Sequence, residues 1–163
     1  MEAESVYQYL IDRQEFRLLE EKDLYYVFLP VPEYWDIRVD GYNGAVTDMG
    51  EKKAIIYFKA PSEKRYVQRV EWITNIGTVY KIDYYGKYGY AYCTEYLNSD
   101  GSSRMKEYYT SQRKMVASKN SSNGVITLFE QGHVAAMYDS ESELIKEVSE
   151  ETVHVAAFAT KPR

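Results

Sequence analysis

The stretch RVEWITNIGTVYKIDYYGKYGYAYCTEYLNSDGSSRMKEYY, residues 69–109, repeats one three-residue pattern at a fixed interval. In each copy an acid is followed by an aromatic residue and then by another large apolar or aromatic residue. The copies begin at Glu71, Asp83, Glu95 and Glu107, twelve residues apart. Glycines keep the same period at Gly77, Gly89 and Gly101. A strand-forming run that alternates regularly with a short glycine-containing turn predicts consecutive β-hairpins.

The turns of this repeat are the segments 74–77, 86–89, 98–101 and 110–113. In the first three, glycine occupies the fourth position, where it supplies a positive φ angle at no steric cost. Turns this short join only antiparallel neighbours, because parallel strands need a long crossover. The sequence therefore predicts a long antiparallel β-meander with a repeat of twelve residues. Further short strands are predicted before it, in YWDIRVD, GAVTDMG and KKAIIYFKA, and after it, in MVASK, GVITLFE and HVAAMYD.

Four-residue loops would fix the register of these hairpins. They would set Tyr85 opposite Tyr90, Asp83 opposite Tyr92 and Glu95 opposite Arg104. One face would then collect Trp72, Tyr85, Tyr92 and Tyr96, interrupted by Lys81 and Asp83, and the other Tyr84, Cys93 and Tyr108, interrupted by Glu71 and Glu95. Neither face is consistently apolar, as the inner face of a closed sandwich would be. We therefore expect an extended sheet that is partly covered on one side and open to contact on the other.

Helices are predicted at both ends of the chain. Residues 3–22 place Val6, Tyr9, Leu10, Phe16 and Leu19 near one helical stripe. In residues 140–151, Ser140 precedes Glu143 by the spacing of a capping box. The segment TVHVAAFAT that follows alternates like a last strand or a tail. The expected class is mostly β with flanking helices: an N-terminal helical segment (1–23), an extended β-meander (24–139), and a C-terminal helix with a terminal strand or tail (140–163).

Composition limits the classes of function. The chain has 163 residues, 18 of them tyrosine, and a net charge of −5. Tyrosine can half-bury its ring while the hydroxyl stays in water, which suits sheets and contact surfaces. No basic run is present to follow a phosphate backbone, so nucleic acid is not an expected partner.

The residues that usually carry chemistry are sparse. Cys93 is the single cysteine, which excludes an intramolecular disulfide and fits a reducing compartment. His133 and His154 have no second ligand at metal spacing, and no glycine-rich nucleotide loop is visible. The N-terminus is acidic and lacks the apolar core of a signal peptide. We expect a cytoplasmic chain without metal or cofactor that is not a self-sufficient enzyme.

Four blocks carry a family resemblance: PVPEYWDIR (30–38), KKAIIYFKAPSEKRYVQRVEWI (52–73), KIDYYGKYGYAY (81–92) and GVITLFEQG (124–132). In this order they resemble the add-on β-sheet domain of two-component bacterial protein O-glycosyltransferases. The closer likeness is to the non-catalytic, chaperone-like stabilising subunit of the accessory secretion (accessory Sec) system of Gram-positive bacteria. The similarity covers residues 24–144, most of the chain.

The resemblance implies an extended antiparallel sheet that clasps a catalytic glycosyltransferase subunit. It also implies contact with the Ser/Thr-rich surface adhesin that receives N-acetylglucosamine, and membrane proximity only through that complex. Residues 1–163 do not include the nucleotide-sugar-binding body of that family, so the resemblance implies an excised domain, a truncated relative or a stand-alone use of the sheet. The tyrosines predicted to contact the partner or acceptor are Tyr84, Tyr85, Tyr88, Tyr90, Tyr92, Tyr108 and Tyr109.

Two alternatives remain open at this stage. Tyrosine rings between glycine turns also suit a glycan-binding module, because aromatic faces stack on sugar rings. A sheet with free edges also suits a structural protein that pairs edge to edge as a homo-oligomer.

Overall fold

The computed structural model describes residues 2–159 as one antiparallel sheet of ten strands with two α-helices. The helices are α1 (Ala3–Gln14) and α2 (Glu141–Ala159). The strands are β1 (Asp36–Asp40), β2 (Asn43–Asp48), β3 (Glu51–Phe58), β4 (Val67–Ile73), β5 (Val79–Tyr85), β6 (Ala91–Leu97), β7 (Ser103–Tyr109), β8 (Met115–Asn120), β9 (Ile126–Glu130) and β10 (His133–Tyr138). Each strand pairs with its neighbours in the chain, so the predicted mostly-β meander is confirmed.

The turns of the repeat have the predicted geometry. Gly77, Gly89 and Gly101 have φ angles of 84°, 75° and 87°. The fourth turn has no glycine, and Arg113 adopts the same left-handed conformation with a φ of 62°. In each turn the amide of the fourth residue donates to the carbonyl of the first, as Gly77 does to Thr74 at 2.9 Å. The period of glycines therefore marks the hairpins correctly.

Each hairpin of the repeat, and the pair β3–β4 before it, also carries a β-bulge that the repeat does not predict. One unpaired residue lies near the start of the returning strand, at Gln68, Tyr80, Tyr92, Arg104 and Val116. These positions are again twelve residues apart. An extra residue on one strand bends it and shifts the pairing beyond that point. The repeat is therefore a strand, a turn and a bulge.

The predicted register is wrong, because both the turns and the bulges displace it. Asp83 pairs with Thr94 instead of Tyr92, and Tyr85 pairs with Ala91 instead of Tyr90. In the next hairpin Glu95 pairs with Lys106 instead of Arg104. The prediction counted an uninterrupted ladder from a four-residue turn. The pair next to the turn is already displaced by one residue, because Gly86 N donates to Tyr90 O, and the unpaired residue displaces every pair beyond it by one more.

The bulge also reverses the predicted face of Tyr92. Tyr92 and its neighbour Cys93 both contact the same hydrophobic core. In a regular strand, consecutive side chains point to opposite faces. Tyr92 therefore lies on the side of Tyr84 and Tyr108, not on the side of Tyr85.

The sheet buries opposite faces in its two halves. The core under the helices contains Cys93, Tyr108, Ala117 and Ile126 from the later strands, with Tyr7 and Leu10 from α1 and Leu144 from α2. A second core, over β2–β4, contains Val46, Ala54, Ile56 and Val70 and is covered by Leu29. Val70 pairs with Asp83, which pairs with Thr94, the strand neighbour of Cys93, so the two cores lie on opposite sides. The expected one-sided cover is therefore wrong: each face is half covered.

The cover of the second core comes from the segment 15–35, here called the strap. The predicted helix over residues 3–22 ends at Gln14, and Leu18 is fully exposed. The strap bonds to the sheet instead: Lys22 N donates to Lys87 O at 2.9 Å, and Val67 N donates to Leu24 O at 2.8 Å. These backbone bonds hold the chain extended. We call the strap side of the sheet the strap face and the other side the helix face.

The predicted start of the C-terminal helix is confirmed, and its end is wrong. Glu143 N donates to Ser140 Oγ at 3.2 Å, while the Glu143 carboxylate accepts from Asp139 N at 3.2 Å. The helix then continues to Ala159, so residues 152–159 are not a strand and His154 is helical. The alternating pattern of residues 152–160 predicted a strand or a tail, but alanine, the commonest residue of the segment, favours helix. Thr160, the last residue of the predicted strand or tail, lies outside the described residues.

Candidate interaction surface

The open half of the strap face is organised around Asp83 on β5. Its carboxylate accepts one hydrogen bond from Trp72 Nε1 at 2.9 Å and another from Thr94 Oγ1 at 2.6 Å. The ammonium of Lys81 lies 5.2 Å from the centroid of the Trp72 ring. Three neighbouring strands are thereby tied together through side chains on one face, which makes the surface rigid before anything binds.

Three tyrosines extend this surface: Tyr85 on β5, Tyr96 on β6 and Tyr109 on β7. All three are partly buried, and the Arg113 guanidinium lies 4.0 Å from the centroid of the Tyr109 ring. The Tyr109 hydroxyl donates to the Glu107 carboxylate. Together with Trp72 and Asp83 these tyrosines form what we call the open tyrosine surface. Its rings and charges suit a partner that offers both apolar and polar groups.

The predicted contact tyrosines divide between the two faces. Tyr85 and Tyr109 lie on the open tyrosine surface. Tyr84 and Tyr92 contact the core under the helices, and the Tyr90 hydroxyl donates to Tyr109 O at 3.4 Å. Tyr108 is only 1% exposed and stacks on Tyr7, so the prediction of Tyr108 as a surface contact is wrong. The contact roles of the other six tyrosines stay predictions.

Tyr88 lies in a separate aromatic cleft at the turn between β5 and β6. This cleft, of about 710 Å³, is lined by Tyr25, Phe28 and Tyr66 as well as Tyr88 and Gly89. Tyr25 contacts Phe28 and Tyr66 with ring centroids 6.5 and 6.4 Å apart. The strap supplies one wall, so a cleft of this composition exists only when the strap is docked.

Two further surfaces were not singled out by sequence reasoning. On the open half of the helix face, the Arg69 guanidinium lies 3.9 Å from the Tyr57 ring centroid, and its Nε donates to Glu71 at 3.0 Å. At the opposite end of the strands, an apolar groove of about 810 Å³ is lined by Trp35, Ile73, Ile76, Val79 and Leu97 among others. The groove also takes in Trp35 and Leu97, which are distant in the chain from the turn at Ile76 and which no local pattern joins to it.

The tyrosine hydroxyls of the open tyrosine surface have pKa values above the usual one for tyrosine. Burial raises the pKa of Tyr85, and the nearby Asp83 carboxylate adds to the effect. Burial likewise raises the pKa of Tyr96 and of Tyr109, so these hydroxyls stay protonated and act as hydrogen-bond donors. Burial raises the pKa of the Cys93 thiol to about 12, which keeps it un-ionised.

Within residues 2–159, no three His, Cys, Asp or Glu side chains lie close enough together to hold a metal ion. No helix in the same range has the length and apolar content needed to cross a bilayer.

A single-layer sheet with two half-open faces, shallow grooves and protonated tyrosines defines a surface-presenting β-sheet domain. A family model described as the GtfB middle domain matches residues 35–139. The chain belongs to this family.

The relatives are stabilising proteins of a peptide glycosyltransferase. The chain is 34% identical over 116 residues to the UDP-N-acetylglucosamine–peptide N-acetylglucosaminyltransferase stabilizing protein GtfB of Streptococcus parasanguinis, covering 71% of this chain and 26% of the relative. It is 33% identical over 90 residues to the protein of the same name from Limosilactobacillus reuteri subsp. suis, covering 55% of this chain and 20% of the relative. The chain thus spans about a quarter of the length of the curated relatives it matches.

Solved structures share the fold. A crystal structure of a GtfA/B complex bound to UDP and GlcNAc superposes with a TM-score of 0.81 at 24% identity, over 90% of this chain and 32% of that one. A crystal structure of accessory secretory proteins 1, 2 and 3 in Streptococcus pneumoniae superposes with a TM-score of 0.74 at 13% identity, over 91% of this chain and 30% of that one. Both matches establish the fold of the sheet with its helices.

Proposed function

We propose that this chain is a non-catalytic, chaperone-like sheet domain that binds and stabilises a partner peptide O-glycosyltransferase. The observation that carries the proposal is the family match over the sheet, residues 35–139, because the relatives that share it are named as stabilising proteins of such a transferase. We place the complex in the cytoplasm, and the single free cysteine fits such a reducing setting.

The proposal extends to the acceptor of the transferred N-acetylglucosamine. A Ser/Thr-rich polypeptide in extended form fits the open tyrosine surface, where Asp83 and Glu107 accept hydrogen bonds and the rings of Tyr96 and Tyr109 contact the chain. The acceptor and the transferase are separate partners in this proposal and are tested separately.

Co-expression with the cognate catalytic subunit tests the main proposal. We expect the full chain to co-purify with the transferase and to raise its soluble yield. The double variant Tyr96→Ala, Tyr109→Ala is expected to weaken binding of a synthetic Ser/Thr-rich peptide at least tenfold. Tyr42→Ala is the matched control, since Tyr42 is 89% exposed in the turn between β1 and β2. Absence of a complex with the transferase would exclude the main proposal, and unchanged peptide affinity would exclude the acceptor site.

The aromatic cleft favours a second candidate function, the binding of a glycan. Its rings, Tyr25, Phe28, Tyr66 and Tyr88, offer stacking faces beside the carboxylates of Glu21 and Asp23. Titration with N-acetylglucosamine oligomers, followed by intrinsic fluorescence, tests it against Tyr88→Ala and Phe28→Ala. Saturable binding lost in both variants would support a glycan site, and no binding at millimolar sugar would exclude it.

A further inference from the structure

The two edges of the sheet differ in their protection. Strand β10 forms one edge, with β9 alone beside it, and no described segment other than β9 gives it a backbone hydrogen bond. Its sequence, HVAAMY, contains no Asp, Glu, Lys, Arg or Pro. Val134 and Met137 are 60% and 64% exposed. An edge strand with free amides and carbonyls and apolar side chains is a template for pairing with another strand.

The opposite edge, β1, carries charged residues and nearby prolines of the kind that prevent pairing with another strand. Its sequence, DIRVD, alternates charged with apolar residues, and two prolines, Pro30 and Pro32, precede it. If β1 paired over its whole length with a second copy about a two-fold axis, Arg38 would lie opposite its own copy. Like charges placed directly opposite each other destabilise an antiparallel pair. The sheet is therefore open to pairing at one edge and guarded at the other.

The exposed residues of β10 are placed for self-pairing. Val134 pairs with Phe129, and Met137 pairs with Thr127, two positions further along β9. Val134 and Met137 therefore point to the same face of the sheet. Residues three apart in a regular strand point to opposite faces, but the unpaired Ala135 between these two shifts the later residues by one position. That face is the strap face, away from α1 and α2. Full antiparallel overlap of residues 133–138 with a second copy would set Val134 opposite Met137 of that copy, twice.

We propose that β10 pairs with β10 of a second copy of this chain, which joins two ten-stranded sheets into one continuous sheet. The two-fold axis stands perpendicular to the sheet between Ala135 and Ala136. Assembly stops at two copies, because this contact is isologous and uses both β10 edges, while the β1 edges are guarded. One strand pair covers far less than the ~1,200–2,000 Å² of a stable interface, so the dimer is weak and forms only at high protein concentration. This inference does not depend on the proposed function.

Sedimentation velocity of the full chain over a hundredfold range of concentration tests the dimer. We expect a monomer that converts to a dimer, with protection of the β10 amides from hydrogen exchange only at high concentration. In the double variant Val134→Lys, Met137→Lys each cross-strand pair becomes Lys against Lys, and the dissociation constant is expected to rise at least tenfold. In Val134→Lys, Met137→Glu each pair becomes Lys against Glu, and the affinity is expected to recover. Met49→Lys, at an exposed turn, is the control for added charge.

Each outcome decides the proposal. A monomer at every concentration, or a dimer that the double-lysine variant leaves unchanged, would overturn it. Failure of the Lys–Glu variant to recover, with circular dichroism showing a native sheet, would overturn the register. A monomer whose binding to the cognate transferase is lost on Val134→Lys would assign the edge to the transferase instead.

Discussion

The rings of Tyr7 and Tyr108 stack face to face, with centroids 3.9 Å apart and an interplanar angle of 4°. Tyr7 belongs to α1 and Tyr108 to β7, so this contact fixes the N-terminal helix on the helix face. The Tyr7 hydroxyl also donates to Glu141 at 2.8 Å, and Lys119 donates to the same carboxylate oxygen at 3.0 Å. One tyrosine therefore connects α1, α2 and the sheet.

Truncation of Tyr7 should destabilise the protein strongly. Removing a fully buried aromatic side chain leaves a cavity, and we expect Tyr7→Ala to lower the free energy of unfolding by about 3–5 kcal/mol. Tyr7→Phe keeps the stack and loses one hydrogen bond, so its cost should be about 1 kcal/mol. Urea denaturation measures both. Equal losses in the two variants would show that the hydroxyl, and not the stacked ring, holds α1.

Gly89→Ala should lower the stability of the protein more than Gly101→Ala. Both glycines have a positive φ, which costs a side-chain-bearing residue about 1–2 kcal/mol. A Cβ at Gly101 would meet open space, whereas a Cβ at Gly89 would lie 2.5 Å from the carbonyl oxygen of Lys22. We therefore expect Gly89→Ala to release the strap, seen as faster amide exchange around residues 22–26. Equal exchange in the two variants would contradict a tight contact there.

Removal of the Asp83 carboxylate should destabilise the part of the sheet that carries the open tyrosine surface. Thr94 is only 1% exposed, so in Asp83→Ala its hydroxyl and the Trp72 indole lose their acceptor inside the sheet. We expect the free energy of unfolding to fall by about 2–3 kcal/mol, because each unsatisfied buried donor costs about 1–3 kcal/mol. Asp83→Asn keeps one acceptor and should lose roughly half as much. Thermal unfolding measures the stability, and a shift in tryptophan emission would report the freed indole.

The protein should lose stability at alkaline pH. Burial, together with a hydrogen bond to Glu147, raises the pKa of Tyr138 to about 12. An unfolded tyrosine ionises near pH ~10. A group whose folded pKa is raised contributes stability that is complete below the unfolded pKa and is lost as pH rises toward the folded one. We expect stability to fall between pH ~10 and 12, and Tyr138→Phe to reduce the slope. An equal dependence of stability on pH in the unchanged chain and in Tyr138→Phe would contradict this.

Part of the candidate surface followed from sequence. Tyr85 and Tyr109 were predicted as contact residues and lie on the open face, and Trp72, Tyr96 and Asp83 were placed on one face with Tyr85. The predicted face of Tyr92 was wrong because a bulge reversed its side, and the prediction of Tyr108 as a surface contact was wrong because α1 covers it. Bulges and helix docking are set by contacts between distant segments, so a local pattern of strand and turn residues does not contain them.

The sequence alone determined the meander. Glycine at a fixed position in three of the four turns supplies a positive φ at no steric cost, and short turns allow only antiparallel neighbours, so local chemistry suffices to set the strand order. The tertiary structure alone decided which half of each face is buried. That choice depends on how α1, the strap and α2 find apolar partners such as Tyr108 and Val70 across long stretches of chain, where burial of surface, and not local conformation, selects the contact.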